Sequence, residues 1–236
     1  MAKMKFEDLI IWEDDNYIVI NKPAFISTLA DRNDTVNILE MAREYYEDAQ
    51  VCHRLDKETT GALVIAKNPE AYRHMSIQFE NREVSKIYHA VTDGIHDFDN
   101  KEVDRSILKL GNGTVRIDYK GKEAQTFFNT LKAYTAHTLV ECKPITGRMH
   151  QIRVHLSSVE APITGDEMYG GKPLYLSSIK RKYNLKKWTE EQPLIKRLAL
   201  HAHSLTFKLL NGKELSIEAP YPKDFRVLVE QLEKNS

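Results

Sequence analysis

The chain has 236 residues, 42% of them hydrophobic, and its 34 basic and 34 acidic side chains balance to a net charge of zero. This length supports a core that needs no disulfide framework. The two cysteines, Cys52 and Cys142, form no CxxC pair, which favours a reduced intracellular protein with both thiols buried as small hydrophobes. No apolar stretch has the length of a signal peptide core or a membrane span, so we expect a cytoplasmic protein.

The zero net charge hides an uneven distribution along the chain. Residues 1–50 carry eleven acids and five bases, whereas residues 171–200 carry eight bases and two acids. A neutral total first argues against a nucleic-acid partner, but this distribution allows a basic face. The alternative is that both segments are solvated surfaces without a partner.

Apolar periodicity and turn residues predict the elements of the first half of the chain. These elements are, in order, a strand over 17–21, a helix capped by Asp34 with Val36, Leu39 and Ala42 on one side, a strand over 61–66, a helix opened by Asn68 and Pro69 with Tyr72, Met75 and Phe79 on its apolar stripe, and an alternating strand over 85–92.

The second half mixes strands and helices without strict βαβ alternation. Its predicted elements are antiparallel strands over 123–134 and 138–145, a helix capped by Thr146 and beginning at Gly147, a loop over 170–193, a strand pair turning at Asn211-Gly212, and a helix with Phe225, Leu228 and Leu232 inward. We therefore predict an α+β fold with a mixed, mainly antiparallel sheet. Because no disordered linker divides the chain, we expect residues 1–236 to form a single catalytic domain.

Asp56 lies in the polar turn HRLDKETTG, directly before the apolar run ALVIA. An aspartate in such a turn is usually a local hydrogen-bonding device. The alternative is a carboxylate held at the rim of a sheet to perform chemistry.

A basic block, ITGRMHQIRVHL, occupies residues 145–156 and has no acid between Glu141 and Glu160. A solvated helix face is one interpretation. In the predicted helix, however, Arg153 lies one step from the apolar stripe, so we expect it to be partly buried. A partly buried guanidinium requires a carboxylate, and Asp56 is a candidate partner.

Several segments together resemble the RluA family of pseudouridine synthases. The segments are HRLDKETTG at 53–61, SKIYHA at 85–90, TGRMHQIRVHL at 146–156, NKPA at 21–24, ITGDEMYGG at 163–171, RLALHAHSLTF at 197–207 and EAPYPKDF at 218–225. They span nearly the whole chain in the family's order. Two features depart from the family pattern, namely residues 25–29 after NKPA and a long loop before RLALHA.

The resemblance implies a pseudouridine synthase fold with helices and loops flanking the central sheet and a central catalytic cleft. It also implies conversion of uridine in RNA to its C-glycoside isomer. This rearrangement is redox-neutral and needs no cofactor, and the sequence contains neither a GxGxxG helix opening nor a P-loop. His201 and His203 alternate on a strand without nearby cysteines, so we interpret them as structural and expect no metal.

The resemblance also assigns catalytic roles to three residues. Asp56 is the essential carboxylate, with attack on the sugar and attack on the base both left open. Arg153 would orient this carboxylate and keep it ionised. Tyr88 would stack on the uracil and take part in late acid–base chemistry.

The target uridine must leave its stack to react, and we expect Arg54 to enter the gap that it leaves. The candidates for phosphate and loop contacts are Lys86, Arg148, His150 and Gln151, with residues 180–187 as a basic rim. The sequence before Phe6 has no room for the S4-type domain of many relatives, so we expect the catalytic domain itself to hold the RNA.

The expected partner is therefore a stem-loop of ribosomal or transfer RNA, with no DNA, no membrane and no second subunit. The alternative function is an RNA-binding or RNA-folding protein on the same scaffold with dispensable catalysis. A carboxylate glycosidase is a more distant alternative, because Glu58 is too close to Asp56 along the chain to be an independent partner.

Overall fold

The computed structural model describes residues 4–30, 36–111, 113–185 and 188–236. The strands are β1 (Ile10–Glu13), β2 (Tyr17–Lys22), β3 (Gln50–Val51), β4 (Thr60–Ala66), β5 (Ser85–Asp93), β6 (Lys101–Asp104), β7 (Ile107–Lys109), β8 (Val115–Ile117), β9 (Gln125–Ala133), β10 (His137–Pro144), β11 (Leu200–Lys208) and β12 (Glu214–Glu218). The helices are α1 (Ile38–Tyr45), α2 (Pro69–Glu80), α3 (Gln151–Ser157), α4 (Leu176–Ile179) and α5 (Lys223–Lys234), with single 3₁₀ turns at Glu7–Leu9 and Glu167–Tyr169.

The chain divides into two compact units. The first comprises residues 1–87 and 202–220, and the second comprises residues 88–201 and 221–236. The mixture of helices with mainly antiparallel ladders confirms the predicted α+β class. A single catalytic domain over residues 1–236 stays a prediction.

In the first unit, β2 pairs antiparallel with β1 and β4, and the C-terminal part of β11 pairs with β12. All seven residues of β4 are buried, as expected for a strand that reads as a continuous apolar run. The predicted start of α2 is confirmed, because the Asn68 side chain accepts a hydrogen bond from the Ala71 N–H and Pro69 is the first helical residue. Met75 is buried on this helix, whereas Tyr72 is exposed.

Helix α1 differs from its prediction. The predicted cap, Asp34, lies outside the described residues. Asn37 precedes the helix, and its side chain accepts a hydrogen bond from the Glu40 N–H over 3.0 Å. The buried face then carries Ile38 and Ala42, while Val36 is exposed because it precedes the first helical turn.

In the second unit, β10 lies between β5 and β9, and β6 pairs with β9, all antiparallel. The predicted inward face of α5 is confirmed, since Phe225, Leu228 and Leu232 are buried in the main core of this unit. The hairpin of β7 and β8 packs in a smaller core that includes Val154 of α3.

The start of α3 corrects the prediction that Thr146 caps a helix beginning at Gly147. The helix begins at Gln151, after His150 in a left-handed conformation with φ of 52°. The Gln151 side-chain oxygen accepts hydrogen bonds from the Thr146 hydroxyl over 2.6 Å and from the Arg148 N–H over 2.9 Å. These bonds stabilise a turn over 146–150 where the sequence pattern favoured helix.

Two further predictions concern the last third of the chain. The strand pair around Asn211-Gly212 is confirmed as β11 and β12, with Gly212 at φ of 79° in the connecting turn. The described part of the segment 170–193, which omits residues 186 and 187, is loop-like as predicted but contains the single-turn helix α4. Across the described residues, no helix combines the length and apolar character needed to span a membrane.

Candidate active site

Asp56 occupies a turn between β3 and β4 whose two sides are held by buried residues. Leu55 is buried, and its N–H and carbonyl are both bonded to the Thr28 hydroxyl, over 3.1 and 2.9 Å. The Asp56 carbonyl accepts a hydrogen bond from the N–H of buried Thr59 over 3.0 Å. The Asp56 side chain is half-buried, so the structure places a carboxylate on a fixed backbone at the start of a buried strand.

Lys22 lies beneath this turn and is a residue that sequence reasoning missed. Its side chain is fully buried, and its ammonium group donates hydrogen bonds to the carbonyls of Pro23, Ile26 and Lys57 over 2.9, 2.8 and 3.1 Å. A buried ammonium is tolerated only with such acceptors. The available signal was a lysine that directly follows an apolar strand and precedes a proline, in the NKPA motif.

His53 and Lys86 form an unusual pair of basic groups in the first unit. Burial, with a smaller contribution from the positive charge of Lys86, lowers the pKa of His53 to about 3, so its ring is neutral. Its Nε2 accepts a hydrogen bond from the Val64 N–H over 3.2 Å, and its ring lies 5.0 Å from that of Phe79. Burial, and then the charge of Arg82, lowers the pKa of Lys86 to about 8. Arg54, the next residue after His53 in the chain, is exposed.

Tyr88 belongs to the second unit, where it lies on β5 opposite Cys142 of β10. Its ring is half-buried and packs against the main core of that unit. The core therefore holds the ring in place while part of the side chain remains accessible, which is the arrangement that stacking on a base requires.

Arg153 is buried on α3, as predicted, and a carboxylate pairs with it. Its Nε and Nη2 donate to the two oxygens of Asp166 over 2.7 and 2.8 Å. The Arg153 guanidinium also lies over the Tyr169 ring, 4.9 Å from its centroid, and Nη2 lies 3.7 Å from the sulfur of Met168. Sequence reasoning missed Asp166, although the acid stands in the quoted motif ITGDEMYGG. A pairing of Arg153 with Asp56 stays a prediction.

The other predicted contacts of the basic block have partners within the second unit. The Arg148 Nε donates to the Glu123 carbonyl over 3.0 Å, and the His150 Nδ1 lies 2.9 Å from the Tyr169 hydroxyl. Gln151 is buried, and its amide nitrogen donates to Gln125 and Thr126. An RNA contact by Gln151 would have to break this network, whereas Arg148 is exposed.

The predicted basic rim lies partly outside the described residues, which omit Lys186 and Lys187. Its described cations, Lys180, Arg181 and Lys182, are exposed. Elsewhere His201 is buried against the rings of Tyr221 and Phe225, in agreement with a structural role. In the part of the chain that the structure describes, no three metal-binding side chains cluster to hold an ion.

Comparison with known proteins identifies the family. A profile described as RNA pseudouridylate synthase matches residues 16–158. Ribosomal large subunit pseudouridine synthase C of Buchnera aphidicola is 35% identical over 96% of this chain and 71% of its own length. Ribosomal large subunit pseudouridine synthase D of Neisseria meningitidis is 36% identical over 94% of this chain and 60% of its own length.

Two solved human structures share the fold. RNA Pseudouridylate Synthase Domain Containing 4 has a TM-score of 0.72 and 27% identity, covering 97% of this chain and 95% of its own. RNA Pseudouridylate Synthase Domain Containing 1 has a TM-score of 0.69 and 26% identity, covering 94% and 87%. The chain therefore belongs to the RNA pseudouridylate synthase family and is an isomerase that converts uridine in RNA to pseudouridine. The alternative of an RNA-folding protein without catalysis is not favoured.

Proposed function

We propose that the RNA substrate of this isomerase is the RNA of the large ribosomal subunit. One observation carries the proposal: relatives that match over 94% or more of this chain, at 35 and 36% identity, are named ribosomal large subunit pseudouridine synthases. Transfer RNA is the other substrate that the sequence allows, and it serves as the comparison in the experiment below. The expectations of a cytoplasmic protein, a single subunit and no DNA partner stay predictions.

The chemistry assigns a narrow task to each catalytic residue. The bond between N1 and C1′ breaks, the uracil rotates, and C5 bonds to C1′. The C5 proton then leaves and N1 gains a proton, so no electrons enter or leave the nucleotide. Asp56 is the proposed carboxylate that attacks the sugar carbon or the ring, a role supported by its half-buried side chain on a fixed turn.

Tyr88 and Arg153 are the proposed partners in this chemistry. The Tyr88 ring is held by the core, which suits stacking on the uracil and removal of the C5 proton by its hydroxyl. Arg153 contributes a fixed positive charge, and its guanidinium geometry should make replacement by lysine damaging. Exposed Arg54 is the candidate that fills the stack after the uridine leaves it.

Release of tritium from C5-labelled uridine tests the proposal. We expect the protein to release label from a transcript of large-subunit ribosomal RNA, up to one equivalent per modified site, and none from a transfer RNA mixture. Release from transfer RNA alone would overturn the proposed substrate while leaving the isomerase activity intact. Sequencing of the product for pseudouridine then identifies the modified position.

A further inference from the structure

One segment of the second unit, residues 163–171, surrounds the side chain of Arg153. Asp166 pairs with two guanidinium nitrogens over 2.7 and 2.8 Å, the Tyr169 ring lies under the guanidinium with its centroid at 4.9 Å, and the Met168 sulfur lies 3.7 Å from Nη2. Both charged side chains are buried, with exposed fractions of 8% for Arg153 and 2% for Asp166. The segment therefore compensates a buried charge and also defines the plane of the guanidinium.

Asp166 is itself fixed by the backbone around it. Its N–H donates to the Ile163 carbonyl over 2.9 Å, and its own carbonyl accepts from the N–H groups of Tyr169 and Gly171 over 3.1 and 2.9 Å. The turn closes only because Gly171 has no side chain: a Cβ there would lie 1.8 Å from the Ile163 oxygen. The carboxylate is thus held on a rigid turn that leaves little freedom to the guanidinium.

Asp166 engages the side of the guanidinium formed by Nε and Nη2. Two parallel hydrogen bonds of this kind fix both the plane and the rotation of the guanidinium, which is the condition for precise action on a reacting group.

We propose that Asp166 is a positioning residue for the isomerisation, acting through Arg153. The inference rests on the proposed role of Arg153 and extends it to an acid that carries no assigned function. Asp166 holds the guanidinium in the orientation that the reaction uses, through the buried acid and the glycine turn of the segment ITGDEMYGG.

A second arginine–aspartate pair in the same unit provides a matched control. Arg197 donates through Nε and Nη2 to the two oxygens of Asp224 over 2.8 and 3.1 Å, with the Arg197 side chain fully buried. Asp224→Asn and Asp166→Asn therefore make the same chemical change to a bidentate pair with a buried arginine, although the Asp224 side chain is 36% exposed and that of Asp166 is 2% exposed. Only Asp166→Asn changes the partner of Arg153.

The experiment measures kcat, KM for RNA and Tm of these variants by tritium release and thermal unfolding. We expect Asp166→Asn to lower kcat about 100-fold with KM within threefold of wild type. Asp224→Asn should keep kcat within threefold. Combined with Arg153→Lys, Asp166→Asn should lower kcat by less than about threefold further, because both changes remove the same arrangement.

Unchanged kcat in Asp166→Asn would overturn the proposal, as would equal losses in both asparagine variants or an additive loss in the double variant. If Asp166→Asn does not fold, Asp166→Glu is the second variant: it keeps the charge but displaces the guanidinium, so kcat per folded molecule should fall, with thermal unfolding reporting the folded fraction. Full kcat in the glutamate variant would overturn the proposal. Wild-type protein that releases no label from any RNA would instead contradict the proposed function, so the two failures are distinguishable.

Discussion

The ammonium group of Lys22 donates a hydrogen bond over 3.1 Å to the carbonyl of Lys57, the residue that directly follows Asp56. The same group also bonds to the carbonyls of Pro23 and Ile26. A fully buried cation thus joins the end of β2 to the turn that carries the proposed catalytic carboxylate. These three bonds support the turn through main-chain acceptors.

Replacing Lys22 by methionine should destabilise the protein by about 3 kcal/mol, because three partly buried hydrogen bonds from a charged donor are lost. Activity per folded molecule should fall as well, since the turn around Asp56 loses support. Thermal unfolding and tritium release measure the two effects. Lys213→Met, at an exposed position in the same unit, is the control and should change neither.

Gly61 is required at the start of β4 by both conformation and space. Its φ is +114°, and a Cβ there would lie 2.1 Å from the Ala202 oxygen. Gly61→Ala should therefore lower the free energy of unfolding by at least about 2 kcal/mol. Gly111→Ala meets no atom within 4 Å and should be close to neutral, as measured by urea unfolding. Equal stabilities would contradict the close approach at Gly61.

The lowered pKa of His53 predicts a loss of stability on acidification. Its pKa is lowered to about 3 in the folded state, mainly by burial. Below the ordinary pKa near 6.5, the unfolded chain binds a proton that the folded chain does not, so stability falls as pH decreases from about 6.5 towards 3. The contribution is on the order of 1 kcal/mol per pH unit.

His53→Gln is the informative variant, because its side-chain oxygen can replace Nε2 as the acceptor for the Val64 N–H but does not titrate. Urea unfolding from pH 7 to 5 should show a shallower pH dependence for the glutamine variant than for wild type. Parallel curves for the two proteins would show that His53 does not contribute to the pH dependence of stability.

The lowered pKa of Lys86 predicts that the affinity for RNA depends on pH. Burial, and then the nearby charge of Arg82, lowers its pKa to about 8, and the neighbouring His53 is neutral. If the ammonium contacts a phosphate, binding favours the protonated form and the affinity decreases above pH 8. Between pH 7 and 8.5 the loss should be about fourfold.

Lys86→Arg should remove this dependence, because arginine stays protonated throughout the range. Filter binding of a ribosomal RNA transcript at constant ionic strength measures both proteins. The same pH dependence of RNA affinity in wild type and in Lys86→Arg would contradict a phosphate contact by Lys86.

Local patterns predicted most of the framework and fewer of the side-chain partners. The strand β4 and the capped start of α2 follow from an apolar run and from an Asn-Pro signal, which depend only on neighbouring residues. The start of α3 was predicted four residues early, because Thr146 resembles a cap while its hydroxyl bonds to the Gln151 side chain. The observed start of the helix depends on the left-handed conformation of His150, which hydrophobic periodicity does not reveal.

The candidate site shows the same difference between local patterns, which were predicted, and side-chain partners, which were not. The burial of Arg153 followed from its position beside the apolar stripe, but its pairing with Asp166 depends on a loop that returns to α3. The contribution of Lys22 was not predicted for a similar reason, because its acceptors are backbone carbonyls from three separate positions. Tertiary contacts of this kind have no periodic signature in the sequence.

A single-turnover experiment with Asp56→Asn tests the central claim most directly. Wild-type protein in excess over C5-tritiated ribosomal RNA should release its label, whereas Asp56→Asn should release none above background although it binds the RNA with similar affinity. Glu58→Gln, a matched change in the same turn, should retain activity near that of wild type. Label release by Asp56→Asn at the wild-type rate would contradict the assignment of the essential carboxylate.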